Sequence, residues 1–212
     1  MLHWLLQADT WLFFIINKTL ANPVFDLLMP IITNDKIFRL PILLIWIVLI
    51  IFGGKRGRIV AFLILLTILL SDQLSSFVVK PLFARIRPCN VLSGVRLLVP
   101  CSGSYSFTSS HATNLFAAAG LFANFYRKGK WYFFGYAALV AYSRPYVGVH
   151  YPLDVIGGAL LGLISAQVIL ILYKKVLTSA LPGWFQLERP AVKIEESVPV
   201  TNRSSSDANE KI

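Results

Sequence analysis

The sequence predicts an all-α fold: an integral membrane helical bundle of five transmembrane helices with an interfacial N-terminal segment, or of six spans as the alternative. The 212 residues are 56% hydrophobic, and the mean hydropathy of +0.67 is too high for a soluble domain of this size. Five apolar runs follow one another, and basic residues cluster in the connections between them. We therefore expect one compact membrane domain, spanning residues 35–178.

Each apolar run is expected to form one membrane-spanning helix. A helix needs about 20 residues to cross the hydrocarbon, with roughly 17 as the lower limit. The first, third and fourth runs are shorter and must borrow flanking residues: Ile37 and Phe38, His111, and 145–147. The runs cover 40–52, 59–79, 112–126, 131–142 and 155–173.

The basic connections predict the orientation of the helices. The connections at 53–58 and 127–130, with Lys174 and Lys175, carry eight bases and no acid. Alternation along the chain puts all three on one face, and the positive-inside rule makes that face cytoplasmic. The expected location is therefore the inner (cytoplasmic) membrane, with the other loops on the outer face.

The two ends of the chain differ from the bundle. Residues 1–34 mix apolar residues with Asn17, Lys18, Asn22 and Asp26, which favours an interfacial amphipathic segment. Residues 179–212 form a polar tail that we expect to be disordered and cytoplasmic. The tail from Glu188 holds five of the ten acids and four bases and is therefore almost neutral, so the excess positive charge belongs to the membrane part. The bases of the membrane part lie in connections between apolar runs, which argues against a nucleic-acid partner.

Cys89 and Cys101 are the two cysteines of the chain. Both fall in one predicted outer loop, in a compartment that permits disulfides. A bridge would close a loop of 13 residues and would stabilise the protein by roughly 3 kcal/mol. We expect this disulfide; two unrelated thiols are the alternative. Metal binding is not expected, because no further cysteine or free histidine lies nearby.

Three short strings at the ends of apolar runs carry the candidate site. They are KPLFARIRP at 80–88, TSSH at 108–111 and SRPYVGVHYPLD at 143–154. Together they hold four Lys or Arg, two His, three Ser and one carboxylate. Such a set can bind a phosphate group and attack it.

His150 and Asp154 are four residues apart, so both share one face if a helix begins near His150. The carboxylate would then fix the imidazole tautomer and leave the other nitrogen as a nucleophile. A purely structural His–Asp pair is the alternative.

The remaining candidate residues are of types that bind an anion. Ser109 or Ser110 can cap the helix that begins beside His111, where free amides attract anions. Lys80, Arg87 and Arg144 supply positive charge. Anchoring to lipid headgroups is the alternative for these bases, and we expect it for Arg85 and Arg96.

These strings resemble the type 2 phosphatidic acid phosphatase superfamily, whose signatures read KxxxxxxRP, PSGH and SRxxxxxHxxxD. The first corresponds to Lys80, Arg87 and Pro88, and the third to Ser143, Arg144, His150 and Asp154. In the second, Ser109 and His111 agree, whereas Thr108 replaces proline and Ser110 replaces glycine. The resemblance covers about residues 72–173.

The resemblance implies catalytic roles for three residues. His150 would be the nucleophile that forms a phosphohistidine, Asp154 would orient it, and His111 would be the general acid and then the general base. Lys80, Arg87, Ser109, Ser110 and Arg144 would bind the phosphate oxygens. No cofactor or metal is expected.

The expected function is a membrane lipid phosphatase acting on the outer face. Candidate substrates are undecaprenyl pyrophosphate, which we favour, phosphatidylglycerol phosphate, phosphatidate and the lipid A phosphates. The alternatives are a lipid phosphotransferase using the same site, a non-catalytic lipid-binding membrane protein and, remotely, a haloperoxidase.

Overall fold

The computed structural model describes residues 2–177, whose regular secondary structure is all helical and includes no β-strand. The predicted tail at 179–212 lies outside the described residues. Helix α1 continues into a π-helical turn at Ile15–Thr19, and α4 into one at Leu74–Val79. The helices are α1 (Leu2–Phe14), α2 (Pro23–Ile32), α3 (Asp35–Phe52), α4 (Gly54–Gln73), α5 (Lys80–Phe83), α6 (Pro88–Val91), α7 (Ser110–Phe125), α8 (Lys130–Tyr146) and α9 (Pro152–Leu172).

Helix α7 lies in the middle of the bundle, against α4, α8 and α9. Its contact with α9 is close because Gly158 and Gly162, one turn apart on α9, face it. A Cβ at position 162 would lie 2.1 Å from the carbonyl oxygen of Thr113. Small residues at this spacing let two helix backbones approach within a membrane. The close contact fixes the start of α7 relative to the start of α9.

A polar cluster lies within the bundle, between α4 and α7. The Asn114 side chain donates a hydrogen bond of 3.2 Å to Asp72, and its amide oxygen accepts one of 2.7 Å from Ser71. A polar group at such depth needs partners of this kind. The cluster joins the two helices that carry Lys80 and His111 at their ends.

Within residues 2–177, two helical stretches are long and apolar enough to cross a membrane, namely Gly54–Val91 and Pro152–Lys175. A third candidate is the pair His3–Thr19 and Pro23–Ile32, which is bent by 114°. Helices α7 and α8 have 16 and 17 residues. The protein is thus an all-helical bundle with two or three candidate spans, and the count of five or six stays a prediction.

The N-terminal helices pack onto the same end of the bundle as the three strings. Helix α1 contacts α9, and α2 contacts α8. The buried Asn17 side chain donates to the carbonyl oxygens of Arg96 and Tyr146, at 2.8 Å each. The first 34 residues therefore help to build this end of the protein.

Candidate active site

The residues of the three strings come together at one end of the bundle. Lys80 lies close enough to Arg87, Arg144 and Asp154 for their charges to interact, and His111 lies that close to the two arginines. The fold explains this meeting, because each string ends or begins a helix at that end. Lys80 begins α5, Arg87 precedes α6, Ser109–His111 begin α7, Arg144 ends α8, and His150 and Asp154 flank the start of α9.

His150 lies in the turn between α8 and α9 and is only 2% exposed. Its Nε2 is 3.0 Å from Nη1 of Arg87. A guanidinium can only donate, so Nε2 accepts and the ring proton is assigned to Nδ1. Burial lowers the pKa of His150 to about 3, because desolvation disfavours the imidazolium. The imidazole is therefore neutral at pH 7, with its lone pair on Nε2.

Asp154 supports the opposite side of the ring through a serine. Its Oδ2 lies 3.5 Å from Nδ1 of His150. Ser106 Oγ donates to Oδ2 and lies 3.3 Å from Nδ1, so the hydroxyl can accept the ring proton's hydrogen bond. Helix α9 begins at Pro152 and not at His150, which corrects the expected helical pairing. Oδ2 also accepts from the Tyr151 amide at 2.8 Å, which caps the helix.

Arg87 is held rigidly beside His150. Its Nε donates to the Ser104 carbonyl oxygen and its Nη2 to the Ser104 hydroxyl, each at 2.9 Å. Its Nη1 also contacts the Val149 carbonyl oxygen at 3.2 Å. A guanidinium fixed at several points loses little freedom when it binds an oxyanion.

The two residues that depart from the second signature both have partners. Ser110 Oγ accepts a hydrogen bond of 2.9 Å from Lys80 Nζ. Thr108 is buried and its hydroxyl lies 3.1 Å from that of Ser75. Both contacts join the start of α7 to the segment that ends at Lys80. The altered loop thus remains tied to the first string.

Two buried polar atoms of the candidate site have no hydrogen-bond partner within residues 2–177. They are Ser109 Oγ and Arg144 Nε. Ser109 occupies the N-cap position of α7 without using its hydroxyl as a cap. Arg144 donates through Nη1 to the Thr33 hydroxyl. Unsatisfied buried donors are costly, and here they suit an oxyanion ligand.

Arg85 and Arg96, for which anchoring to lipid headgroups was expected, both pair with carboxylates of the protein. Arg85 donates to Asp154 at 2.8 Å and to Asp9 at 2.6 Å. Arg96 binds both carboxylate oxygens of Asp26, at 2.7 and 2.6 Å. Both bases therefore tie loops near the site to the N-terminal helices.

Cys89 and Cys101 form a disulfide, with Cα atoms 6.3 Å apart. The bridge closes the loop between α6 and the segment that carries Ser104 and Ser106. It thereby restrains the residues that hold Arg87 and Asp154.

Sequence reasoning missed the supporting residues Ser106, Asp9 and Thr33. A signal existed for Asp9, because a carboxylate within an apolar helix requires a basic partner. Ser106 stands two residues before Thr108 in a loop rich in serine, and no pattern separates it from its neighbours. The contacts of all three depend on tertiary packing.

Comparison with known proteins places the chain in a family. The model of the PAP2 superfamily matches residues 61–178. The chain therefore belongs to the PAP2 superfamily, which is the family that the three strings resemble.

Individual relatives agree with this assignment. A lipid A 4'-phosphatase of Porphyromonas gingivalis is 35% identical over 130 residues, which are 56% of this chain and 53% of that protein. An undecaprenyl-diphosphatase of Sulfolobus acidocaldarius is 39% identical over 111 residues, 51% of this chain and 52% of its own length. The chain thus spans about half the length of these two curated relatives.

A solved structure shares the fold. The crystal structure of Aquifex aeolicus LpxE aligns with a TM-score of 0.62 and 29% identity, covering 76% of this chain and 94% of that one.

Proposed function

We propose that this protein is a membrane lipid phosphatase that hydrolyses a phosphate or pyrophosphate group of a lipid through a phosphohistidine at His150. One observation carries the proposal. A buried, neutral imidazole presents its unprotonated Nε2 to a fixed guanidinium, with a carboxylate and a serine behind Nδ1. That is the arrangement a histidine nucleophile needs.

In the first step, Nε2 of His150 attacks the phosphorus atom, and the bond from phosphorus to the lipid oxygen breaks. As the P–N bond forms, positive charge develops on the ring. Asp154 and Ser106 stabilise that charge at Nδ1. The hydrogen of Arg87 Nη1 that Nε2 accepts at 3.0 Å is accepted instead by an oxygen of the bound phosphate, which frees the lone pair for attack.

His111 completes both steps as the acid and then the base. The negative charge of a bound phosphate favours the protonated form of His111, which then gives its proton to the departing oxygen. Neutral His111 then takes a proton from a water molecule, whose oxygen attacks phosphorus and breaks the P–N bond. Inorganic phosphate and the dephosphorylated lipid are the products.

The positive side chains stabilise the transition state. Arg87, Arg144 and Lys80 would surround the equatorial oxygens, and the unpaired Ser109 hydroxyl would donate to one of them. Phosphoryl transfer requires mainly this neutralisation and in-line positioning. These side chains supply it, so the proposed steps need no metal ion.

The membrane setting belongs to the same proposal. Helices α3, α4, α7, α8 and α9 would cross the bilayer, with the site at its outer surface. There a phosphate in the headgroup region would reach the site while the tail stays in lipid. The relatives support two substrate classes, lipid A phosphates and undecaprenyl pyrophosphate. We favour undecaprenyl pyrophosphate, since short loops leave little protein to recognise a large sugar headgroup.

The test is phosphate release by the purified protein in detergent micelles. The panel contains undecaprenyl pyrophosphate, phosphatidylglycerol phosphate, phosphatidate and lipid A, each with EDTA present. We expect release that His150→Ala reduces at least about 1,000-fold, the scale of losing a nucleophile. His3→Ala is the matched control, since His3 is an exposed histidine on α1.

Release that persists in His150→Ala would contradict the proposal. Phosphate found on a second lipid instead of in solution would assign the protein as a phosphotransferase. No turnover by a folded wild-type protein would favour lipid binding without catalysis.

A further inference from the structure

Arg85 bridges two carboxylates that are far apart in the sequence, one on α1 and one on α9. Its Nη1 donates to Asp154 Oδ1 at 2.8 Å and its Nη2 to Asp9 Oδ2 at 2.6 Å. The guanidinium lies 3.8 Å from the centre of the Tyr151 ring. The guanidinium is thus fixed at both terminal nitrogens, Nη1 and Nη2, and by the Tyr151 ring.

Asp9 is itself fixed to the start of α9. It is 4% exposed, and its Oδ1 accepts a hydrogen bond of 2.9 Å from the Leu153 amide. That amide precedes Asp154 by one residue. Helix α1 therefore holds both Arg85 and the backbone beside Asp154.

The hydrogen bonds of Asp154 divide its two oxygens between two tasks. Oδ2 faces the reaction side, toward Ser106, the Tyr151 amide and His150. Oδ1 faces away and binds Arg85. Rotation of the carboxylate would break contacts on both sides at once, so Arg85 fixes the plane of Asp154.

The charges explain why three ionic groups occur together. Asp154 alone would be a buried carboxylate with a neutral histidine as its neighbour. Arg85 compensates it, and Asp9 compensates Arg85, so that the set carries one net negative charge. Removing the partner of a buried ion is strongly destabilising. The three groups are therefore held in one arrangement.

We propose that Arg85 and Asp9 are positioning residues for the reaction at His150: Asp9 on α1 fixes Arg85, and Arg85 fixes the carboxylate of Asp154. This inference rests on the proposed function. It makes the N-terminal helix a part of the catalytic scaffold. Neither residue is proposed to touch the phosphate.

The kinetic test compares Arg85→Gln, Asp9→Asn and the double variant with the wild type, on the best lipid of the panel. We expect Arg85→Gln to lower kcat about 10- to 100-fold, the usual cost of losing a supporting contact to a reacting group. KM should stay within about twofold, because the phosphate ligands are untouched. Asp9→Asn should cost less, and adding it to Arg85→Gln should cost little more.

Two further variants make the test specific. Arg39→Gln removes an arginine from an exposed ion pair with Asp35, and we expect kcat to be unchanged. Arg85→Lys keeps the charge but cannot bind both carboxylates with one fork, so it should recover only part of kcat. This variant also serves if Arg85→Gln fails to fold. A raised KM with unchanged kcat would overturn the proposal and make Arg85 a substrate ligand.

A second readout does not depend on turnover. In protein labelled with ¹⁵N-histidine, the wild type should show His150 with its proton on Nδ1, assigned by its loss in His150→Ala. Arg85→Gln, or Arg85→Lys, should show a measurable fraction of the other tautomer, whereas Arg39→Gln should not. If no lipid is hydrolysed but the tautomer shifts, the proposed function fails and the positioning role stands. An unchanged tautomer would overturn the positioning role.

Discussion

At the residue scale, the proposed reactivity of His150 and the stability of the fold both depend on the protonation state of its imidazole. A nucleophilic imidazole must be neutral, and burial keeps it so. The same burial lowers the free energy of unfolding at acidic pH, because the unfolded chain binds a proton that the folded protein excludes. Stability and chemistry therefore report on the same group.

The pH dependence of unfolding tests this coupling. His150 has a pKa of about 3 in the folded protein and about 6.5 when unfolded. Between these values the unfolded state holds more protons, so stability should fall as the pH falls below about 6.5. The contribution should be on the order of 2 kcal/mol between pH 7 and pH 5.

Thermal unfolding in detergent at pH 5 and pH 7 measures this effect, with His150→Gln as the comparison. The variant should lose less stability than the wild type on going to pH 5. Equal losses in both proteins would mean that His150 is not a buried neutral group.

Ser106 offers a second test at the same scale. Ser106→Ala removes the hydroxyl that joins Asp154 to Nδ1 of His150. We expect kcat to fall about tenfold and stability to fall by about 1 kcal/mol, the net value of a lost hydrogen bond. Ser93→Ala, at an exposed serine near the start of the same loop, is the control for both measurements. Unaltered kcat in Ser106→Ala would show that Asp154 acts without the bridge.

The sequence predicted the charged and histidine residues of the candidate site, because their types and spacing are local features. It placed Lys80, Arg87 and His150 at the ends of apolar runs, where the structure has them. It did not predict the partners of Arg85, since Asp9 is 76 residues away in the chain. It also took the His150–Asp154 spacing as helical, whereas Pro152 begins the helix.

At the scale of elements, the contact between α7 and α9 sets the geometry of the site. His111 stands at the start of α7 and Asp154 in the first turn of α9. Gly158 and Gly162 let the two helices approach closely. A change in the separation of the two helices should shift His111, the proposed acid, relative to His150, the proposed nucleophile.

Gly162→Ala should therefore impair both stability and activity. The added Cβ would meet backbone atoms of Thr113 and Ala117, which cannot move aside as a flexible side chain would. Overpacking of this kind costs about 1–3 kcal/mol, and we expect a lower Tm and at least a tenfold loss of kcat. The measurements are thermal unfolding and phosphate release.

Gly135→Ala on α8 is the matched control, because no atom lies within 4 Å of the added Cβ. This variant should keep full activity and be no less stable than the wild type, since alanine has a higher helix propensity than glycine. Unchanged stability and activity in Gly162→Ala would show that α7 and α9 tolerate a wider separation.

The apolar runs predicted the long helices closely. The run at 112–126 corresponds to α7, and that at 155–173 to α9. The π-helical turn at Leu74–Val79 was not foreseen, because its side chains continue the apolar pattern of α4. The bend of 114° between the N-terminal helices was likewise invisible in a segment of mixed polarity.

At the scale of the whole molecule, the loops divide into two sets at opposite ends of the bundle. One set carries the candidate site and the disulfide, and the other carries the basic connections. The charge asymmetry predicts which set is cytoplasmic. That orientation decides which leaflet supplies the lipid substrate.

Single-cysteine labelling tests the orientation. In a variant with Cys89→Ser and Cys101→Ser, Ser93→Cys lies in an exposed loop on the site side, and Lys128→Cys in an exposed basic connection. A membrane-impermeant maleimide applied to intact cells (spheroplasts if an outer membrane is present) should label position 93, and should label position 128 only after permeabilisation. The reverse pattern would place the site in the cytoplasm.

The most direct test of the central claim is to trap the covalent intermediate. Wild-type protein mixed with ³²P-labelled lipid substrate and quenched in alkali within milliseconds should carry a phosphate that is stable in base and released by acid, as for phosphohistidine. His150→Ala should carry none, and His111→Ala should both gain and lose the label more slowly, because His111 transfers a proton in each step. Label that survives in His150→Ala, or turnover with no labelled protein in any quench, would contradict the account.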